Sequence, residues 1–171
     1  MRTIRIKLYK FNELSEIAKQ KAIENLSDIN VDYDWWESIY KDAENIGLKL
    51  TSFDLDRNRH AKGEFNLAAN EVAANIFRDH GEDCQTYKTA ASFMAEWEPI
   101  FNNYMDENHE DYESNESEER LTDIETDFLN SLLEDYSIIL QKEYEYQTSE
   151  AAIIETIEAN EYEFTIDGKL N

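Results

Sequence analysis

Apolar and polar residues alternate at the start of the chain: Ile4, Ile6 and Leu8 are interleaved with Arg5, Lys7 and Tyr9. A period of two belongs to a half-buried strand, and it predicts one over 3–11 with a basic outer face. The period then lengthens. Ser15 is placed to N-cap a helix carrying Ala18, Ala22 and Leu26 at i, i+4 and i+8. A second helix is predicted from Asp32 or Asp34, with Trp35, Trp36, Ile39, Tyr40, Ala43 and Ile46 as its apolar stripe and Gly47 as a left-handed stop. Leu48 to Leu55 reads as a strand whose alternation slips between Leu50 and Phe53, the mark of a bulge or an early end. The polar run Asp56 to Gly63 then reads as a hairpin loop, with a short strand around Glu64 to Leu67 returning beside it.

Helical spacing resumes at Val72, Ala73, Ile76 and Phe77 and is stopped by Gly81. Thr89 is the expected cap of a fourth helix through Phe93, Met94, Trp97, Phe101 and Tyr104, with a kink or break expected at Pro99. A long helix is predicted through Leu121, Ile124, Phe128, Leu132, Tyr136, Ile139 and Leu140. A short one follows, capped by Thr148 or Ser149 and carrying Ala152, Ile153 and Ile157, with Asn160 as its left-handed stop. Tyr162, Phe164 and Ile166, alternating with Glu161, Glu163 and Thr165, end the pattern as an acidic-faced strand before a turn at Asp167-Gly168. A basic first strand and an acidic last strand suit neighbouring places in one sheet, because opposite charges across a strand pair attract. The fold class expected is α+β, a small antiparallel or mixed sheet covered by about five or six helices. With 171 residues, 1–171 is expected to form a single domain.

Charge changes this picture by dividing the chain. Residues 1–63 hold 11 basic and 11 acidic side chains, whereas 64–171 hold 5 basic and 28 acidic, so the last two-thirds carry the whole net charge of −23. Such a field repels phosphate backbones and anionic lipid and attracts basic surfaces over about a Debye length, ~8 Å at physiological salt. Adaptation to salt would spread acid over the entire surface instead. The density peaks in 106–119, where Asp106, Glu107, Glu110, Asp111, Glu113, Glu116, Glu118 and Glu119 make up eight of fourteen residues, with no Lys or Arg. This segment is expected to be an acidic loop or the frayed end of a helix.

Other candidate chemistry is thin. Asp54, Asp56 and Asn58 open like a calcium loop, but Arg59 and Phe65 stand where an EF-hand needs Gly and Glu; turn-forming side chains in a hairpin are the better reading. His80 and Cys84 are four apart, yet one cysteine and three histidines fall short of a zinc set. Nucleophilic use of Cys84 would need a positive setting, and Glu82 and Asp83 supply the opposite. No glycine-rich phosphate loop is present. No catalytic residue, cofactor or metal is therefore assigned. Arg57, Arg59, His60 and Lys62 form the one basic cluster, on the predicted hairpin loop. They read as a solvated turn, or as a knob for phosphate or an acidic partner. Trp35 and Trp36 read as core, although consecutive helical positions point ~100° apart and one ring can face outward. A lone cysteine rules out an internal disulfide and fits a reducing compartment. No apolar run reaches the ~20 residues of a membrane span, and the N-terminus lacks a signal-like apolar region, so a cytoplasmic location is expected.

Two stretches carry a resemblance: Tyr9-Lys10-Phe11-Asn12-Glu13-Leu14-Ser15 running on to Asp32-Tyr33-Asp34-Trp35-Trp36, and Thr148 to Asn160 with Glu161-Tyr162-Glu163-Phe164. The chain resembles small uncharacterised acidic proteins of bacteriophages and prophages. That likeness implies a phage context in a bacterial host cell. By analogy it implies an inhibitor of host defence, anti-CRISPR-like or a DNA mimic. The function expected is thus non-enzymatic: masking of a basic, nucleic-acid-handling host defence protein, with no direct nucleic-acid or membrane binding. Carboxylates on rigid helices can imitate duplex charge, one per ~1.7 Å of axis. The expected contact is the acidic residues of 106–119 with Tyr104 and Tyr112 as aromatic anchors, Tyr144 and Tyr146 being further candidates. The alternatives are an oligomeric phage structural or accessory protein, burying its apolar faces against its own copies, and an antitoxin.

Overall fold

The computed structural model describes residues 7–171, so Ile4 and Ile6 of the anticipated first strand lie outside the described residues. Among the described residues the architecture is α+β: six α-helices and two antiparallel sheets of two strands each. The chain folds as two compact units, one built from both ends of the sequence and one from its middle.

The first unit, 7–35 with 142–171, is closed by its shortest elements. Strand β1 (Tyr9–Lys10) pairs antiparallel with β4 (Glu163–Phe164), Tyr9 opposite Phe164 and Lys10 opposite Glu163. The two ends of the chain thus share a sheet, as the opposite charge of their outer faces suggested. Lys10 Nζ lies 3.6 Å from the Glu163 carboxylate and donates to the Glu161 carbonyl at 2.7 Å. The strand pair is shorter than the alternation implied: Ile166 lies beyond it and is 72% exposed.

Helix α1 (Glu16–Asn25) starts where expected, the Ser15 hydroxyl accepting from the Ala18 amide. Helix α6 (Glu150–Ala159) is capped in the same way by Ser149. Between them they bury Ala18, Ala22, Ile23, Ile153 and Ile157 around Phe11, Leu14 and Phe164. The Phe11 and Phe164 rings meet edge to face with centroids 6.2 Å apart. Asn160 is not the left-handed stop; its φ is −90°, and Glu161 takes the positive angle at 54°. Gly168, at φ 81°, lies so close to α1 that a Cβ there would run into the Ala18 carbonyl. Asn30, buried, donates to the Gln147 carbonyl at 3.1 Å and accepts from the Thr156 hydroxyl at 2.7 Å.

The second unit, 36–141, starts with helix α2 (Glu37–Ile46), later than the aromatic pattern implied. Trp36 is its cap, half-buried against Phe53 at 5.5 Å, so neither tryptophan stands free on the surface. Gly47 ends α2 at φ 93°. Strand β2 (Leu48–Asp54) pairs antiparallel with β3 (His60–Phe65), and the register shifts between Leu50 and Ser52, where the alternation slips. Because β3 begins at His60, the loop is shorter than anticipated, and His60 and Lys62 are strand residues.

Helices α3 (Ala69–Asp79) and α4 (Gln85–Met105) follow. Thr89 is inside α4 rather than at its cap, which is Cys84. Pro99 neither ends nor interrupts α4; Ala95, whose carbonyl loses its donor, is exposed to water. Helix α5 (Asn115–Gln147) gives 115–141 to this unit and its last turn to the other. Phe128 centres an aromatic cluster, stacked on Phe93 at 4.1 Å and tilted against Phe65 at 5.5 Å.

Candidate acidic surface

The segment 106–119 divides into a run of turns and the start of a helix. Turns run from Asp106 to Ser114, and 115–119 is the first turn and more of α5. Asp106 caps the end of α4. Its Oδ1 accepts from the Asn108 amide at 2.9 Å, and that bond holds its carboxyl below the usual range. The Glu113 amide returns to the Tyr104 carbonyl at 3.0 Å, with Glu113 itself at φ 45°. Ser114 then accepts from the Ser117 amide at 3.2 Å, starting α5 as an N-cap does. Glu116 and Glu118 in that first turn face the positive end of the helix dipole, which explains why so acidic a stretch is helical.

Asp106, Glu107, Glu110, Glu113, Glu116, Glu118 and Glu119 are exposed, and Asp111 is half-buried beside His109, 3.5 Å away. Among the described residues, none of the eight is paired with a lysine or arginine. Tyr104 is half-buried and Tyr112 is 40% exposed; the Glu113 charge beside Tyr112 pushes its phenol up. The acid continues along α5 through Asp123, Glu125 and Asp127. Six carboxylates lie between Glu116 and Asp127; at ~100° per residue Glu116, Asp123 and Asp127 share one side of the helix, while Glu118 and Glu125 lie on the opposite side. Glu125 is partly engaged, accepting from the Trp97 indole at 2.9 Å.

The basic cluster is divided in use. Arg59 binds the Glu134 carboxylate at 2.8 Å and the Ser137 hydroxyl at 3.3 Å, fastening the hairpin to α5. His60 Nδ1 is 2.7 Å from the Asn58 carbonyl oxygen, while Arg57 and Lys62 are exposed. Asp54 accepts from the Asp56 amide at 2.8 Å, a turn made by a side chain, as read for that loop. His80 ends α3 and Cys84 precedes α4; the thiol is exposed, and the imidazole is drawn into a different network.

That network was not legible in the spacing of the chain. His80 Nδ1 is 2.7 Å from Thr86 Oγ1, and its buried Nε2 lies 3.6 Å from an Asp42 oxygen. Tyr136, fully buried, donates to the other Asp42 oxygen at 2.7 Å. The tautomer that satisfies the row has Thr86 donating to Nδ1 and Nε2–H facing Asp42. His80, and after it the Tyr136 hydroxyl, hold the Asp42 carboxyl below its ordinary range against the opposing effect of partial burial. Burial, with Asp42 behind it, pushes the Tyr136 phenol far up, so it remains a donor. Hydroxyl, imidazole and carboxylate stand in a row as in a nucleophilic triad, but Thr86 is 3% exposed, so its hydroxyl faces the core rather than solvent. A second pair, Thr89 donating to Asp135 at 2.6 Å, joins α4 to α5. Asp135 had a signal in the sequence: it stands at heptad spacing after Leu121 and Phe128, both buried.

Comparison with protein-family models, with curated proteins and with solved structures finds no match to this chain. No helix among the described residues is long and apolar enough to cross a membrane.

Proposed function

We propose that the protein acts by binding, as a stoichiometric mask, to the phosphate-handling surface of a basic protein. One observation carries this reading: the exposed carboxylates of 106–119 have no lysine or arginine partner among the described residues. Exposed charges of one sign, held on a capped helix and a hydrogen-bonded turn, project a field that a basic surface would neutralise. The carboxylates of α5 from Glu116 to Asp127 extend this field along the helix, which fits a partner built to grip nucleic acid. Tyr112 offers a rigid, part-exposed anchor beside them. The resemblance to phage proteins makes a host defence nuclease or nucleic-acid-binding protein the partner to look for, inside the bacterial cell.

The test is affinity capture from bacterial lysate at physiological and at high salt. The bait is either the wild-type chain or a variant with Glu110, Asp111, Glu113, Glu116, Glu118 and Glu119 changed to Gln or Asn. The proposal expects basic nucleic-acid-binding proteins on the wild type, their release by salt, and their loss from the variant. Equal retention by the two baits would defeat it.

A further inference from the structure

We propose that the groove between α4 and α5 in the second unit receives an arginine side chain of the basic partner, with Asp135 as the carboxylate that grips it. The inference rests on the reading of the partner given above, and it names a part of the contact the acidic segment does not include.

The groove is about 250 Å³ and continues past Gln85, Thr89, Asp127 and Ser131 toward Glu134 and Asp135. Its floor is apolar, from Ile124 and the stacked pair Phe93 and Phe128. Its walls carry Glu96, Asp127, Glu134 and Asp135; of these Glu134 is already paired with Arg59, and Lys88 is the one cation in the lining itself. Asp135 is the unusual member. It is 7% exposed, on the heptad position where Leu121 and Phe128 bury hydrocarbon. Thr89 donates to one of its oxygens, Oδ2. Among the described residues no donor reaches Oδ1, and no lysine, arginine or histidine lies within ion-pair distance. Burial pushes its carboxyl up, and the Glu134 charge adds to this, against the Thr89 hydroxyl.

A carboxylate largely taken out of water without a cation is costly to a fold, and a leucine at that position would pack at no such cost. A cation from outside removes the penalty. An arginine fits better than a lysine: its planar guanidinium is weakly hydrated, tolerates an apolar floor, and can present separate N–H groups to Oδ1 and to the Asp127 carboxylate in the same lining. The purely structural alternative is that Asp135 exists only to tie α4 to α5 through Thr89.

A nona-arginine peptide, with nona-lysine as the control of equal charge, separates these. Binding is followed by amide shifts of the ¹⁵N-labelled chain. The proposal expects nona-arginine to shift the amides of Gln85, Thr89 and Ser131 and to bind more tightly than nona-lysine. Asp135→Asn keeps the shape and the Thr89 bond; it should melt at or above the wild type and weaken nona-arginine by about tenfold, on the scale of a lost buried charge-assisted pair. Ser131→Tyr, which fills the groove from an exposed position and leaves Asp135 in place, should weaken it to a similar extent. Shifts confined to 106–119, equal affinity for the two peptides, or unchanged binding by both variants would overturn the arginine site while leaving the proposed function standing. Failure of nona-arginine to bind anywhere on the chain would overturn both.

Discussion

The substitution Tyr136→Phe tests whether the middle of the chain is held as described. It removes one oxygen from a fully buried ring and leaves the packing of the ring itself in place. What is lost is a 2.7 Å hydrogen bond to the Asp42 carboxylate. Hydrogen bonds to charged groups contribute about 1.5–3 kcal/mol. The Asp42 side chain is 50% exposed, so water replaces part of the loss and the expected cost sits near the lower end, about 1.5–2 kcal/mol. For a chain of this size that is a fall of roughly 3–8 °C in Tm.

The pH dependence follows from Asp42. Its folded pKa is depressed, so the stabilisation is fully present above the unfolded carboxyl value near 3.8 and is lost as pH falls through the folded pKa. Thermal melting of the wild type and Tyr136→Phe between pH 7 and pH 3, followed by circular dichroism, should show a gap that is constant from pH 7 to about 5 and narrows below about 4. A gap under 1 °C at neutral pH, or one as wide at pH 3 as at pH 7, would refute the reasoning.

Other outcomes follow from single contacts. Gly168→Ala puts a Cβ against the Ala18 carbonyl at a positive φ, so it should destabilise the unit made from the chain ends by more than about 1 kcal/mol, seen as faster amide exchange in α1 and α6. Asn30→Ala leaves the Gln147 carbonyl and the Thr156 hydroxyl without their partner and should cost about 1–3 kcal/mol in denaturant unfolding. Deleting residues from Glu161 onward removes Phe164 from its core and bares the Tyr9–Lys10 edge; aggregation measured by light scattering should rise.

Local rules read most of the elements and few of the contacts. Ser15, Ser149 and Gly47 act where they stand because a cap or a left-handed stop depends on one residue and its immediate neighbours. The slip after Leu50 marked the register shift for the same reason. Errors arose where tertiary packing overrode pattern. Trp35 and Trp36 read as helical core but precede α2, each packed on a ring distant in sequence, Trp35 on Tyr144 and Trp36 on Phe53. Thr89 read as a cap but lies inside α4, where its hydroxyl bonds Asp135, 46 positions away. The strands form two sheets, not one, because only register between distant segments decides which edges meet. The row Thr86, His80, Asp42, Tyr136 joins α2, the end of α3, α4 and α5, and has no spacing to find. The acidic stretch was legible as composition, whereas its division into a turn and the start of α5 depended on Ser114 and the helix dipole.

The central claim is that charge on 106–119 brings the partner in, and the most direct measurement is the association rate of the captured, purified partner across salt concentrations. With the wild-type chain the rate should be high at low salt and fall steeply as screening shortens the reach of the field. With the six carboxylates of 110–119 neutralised, association should be slower, with most of the salt dependence gone and dissociation little changed. Identical association rates for the two chains at every salt concentration would contradict the account.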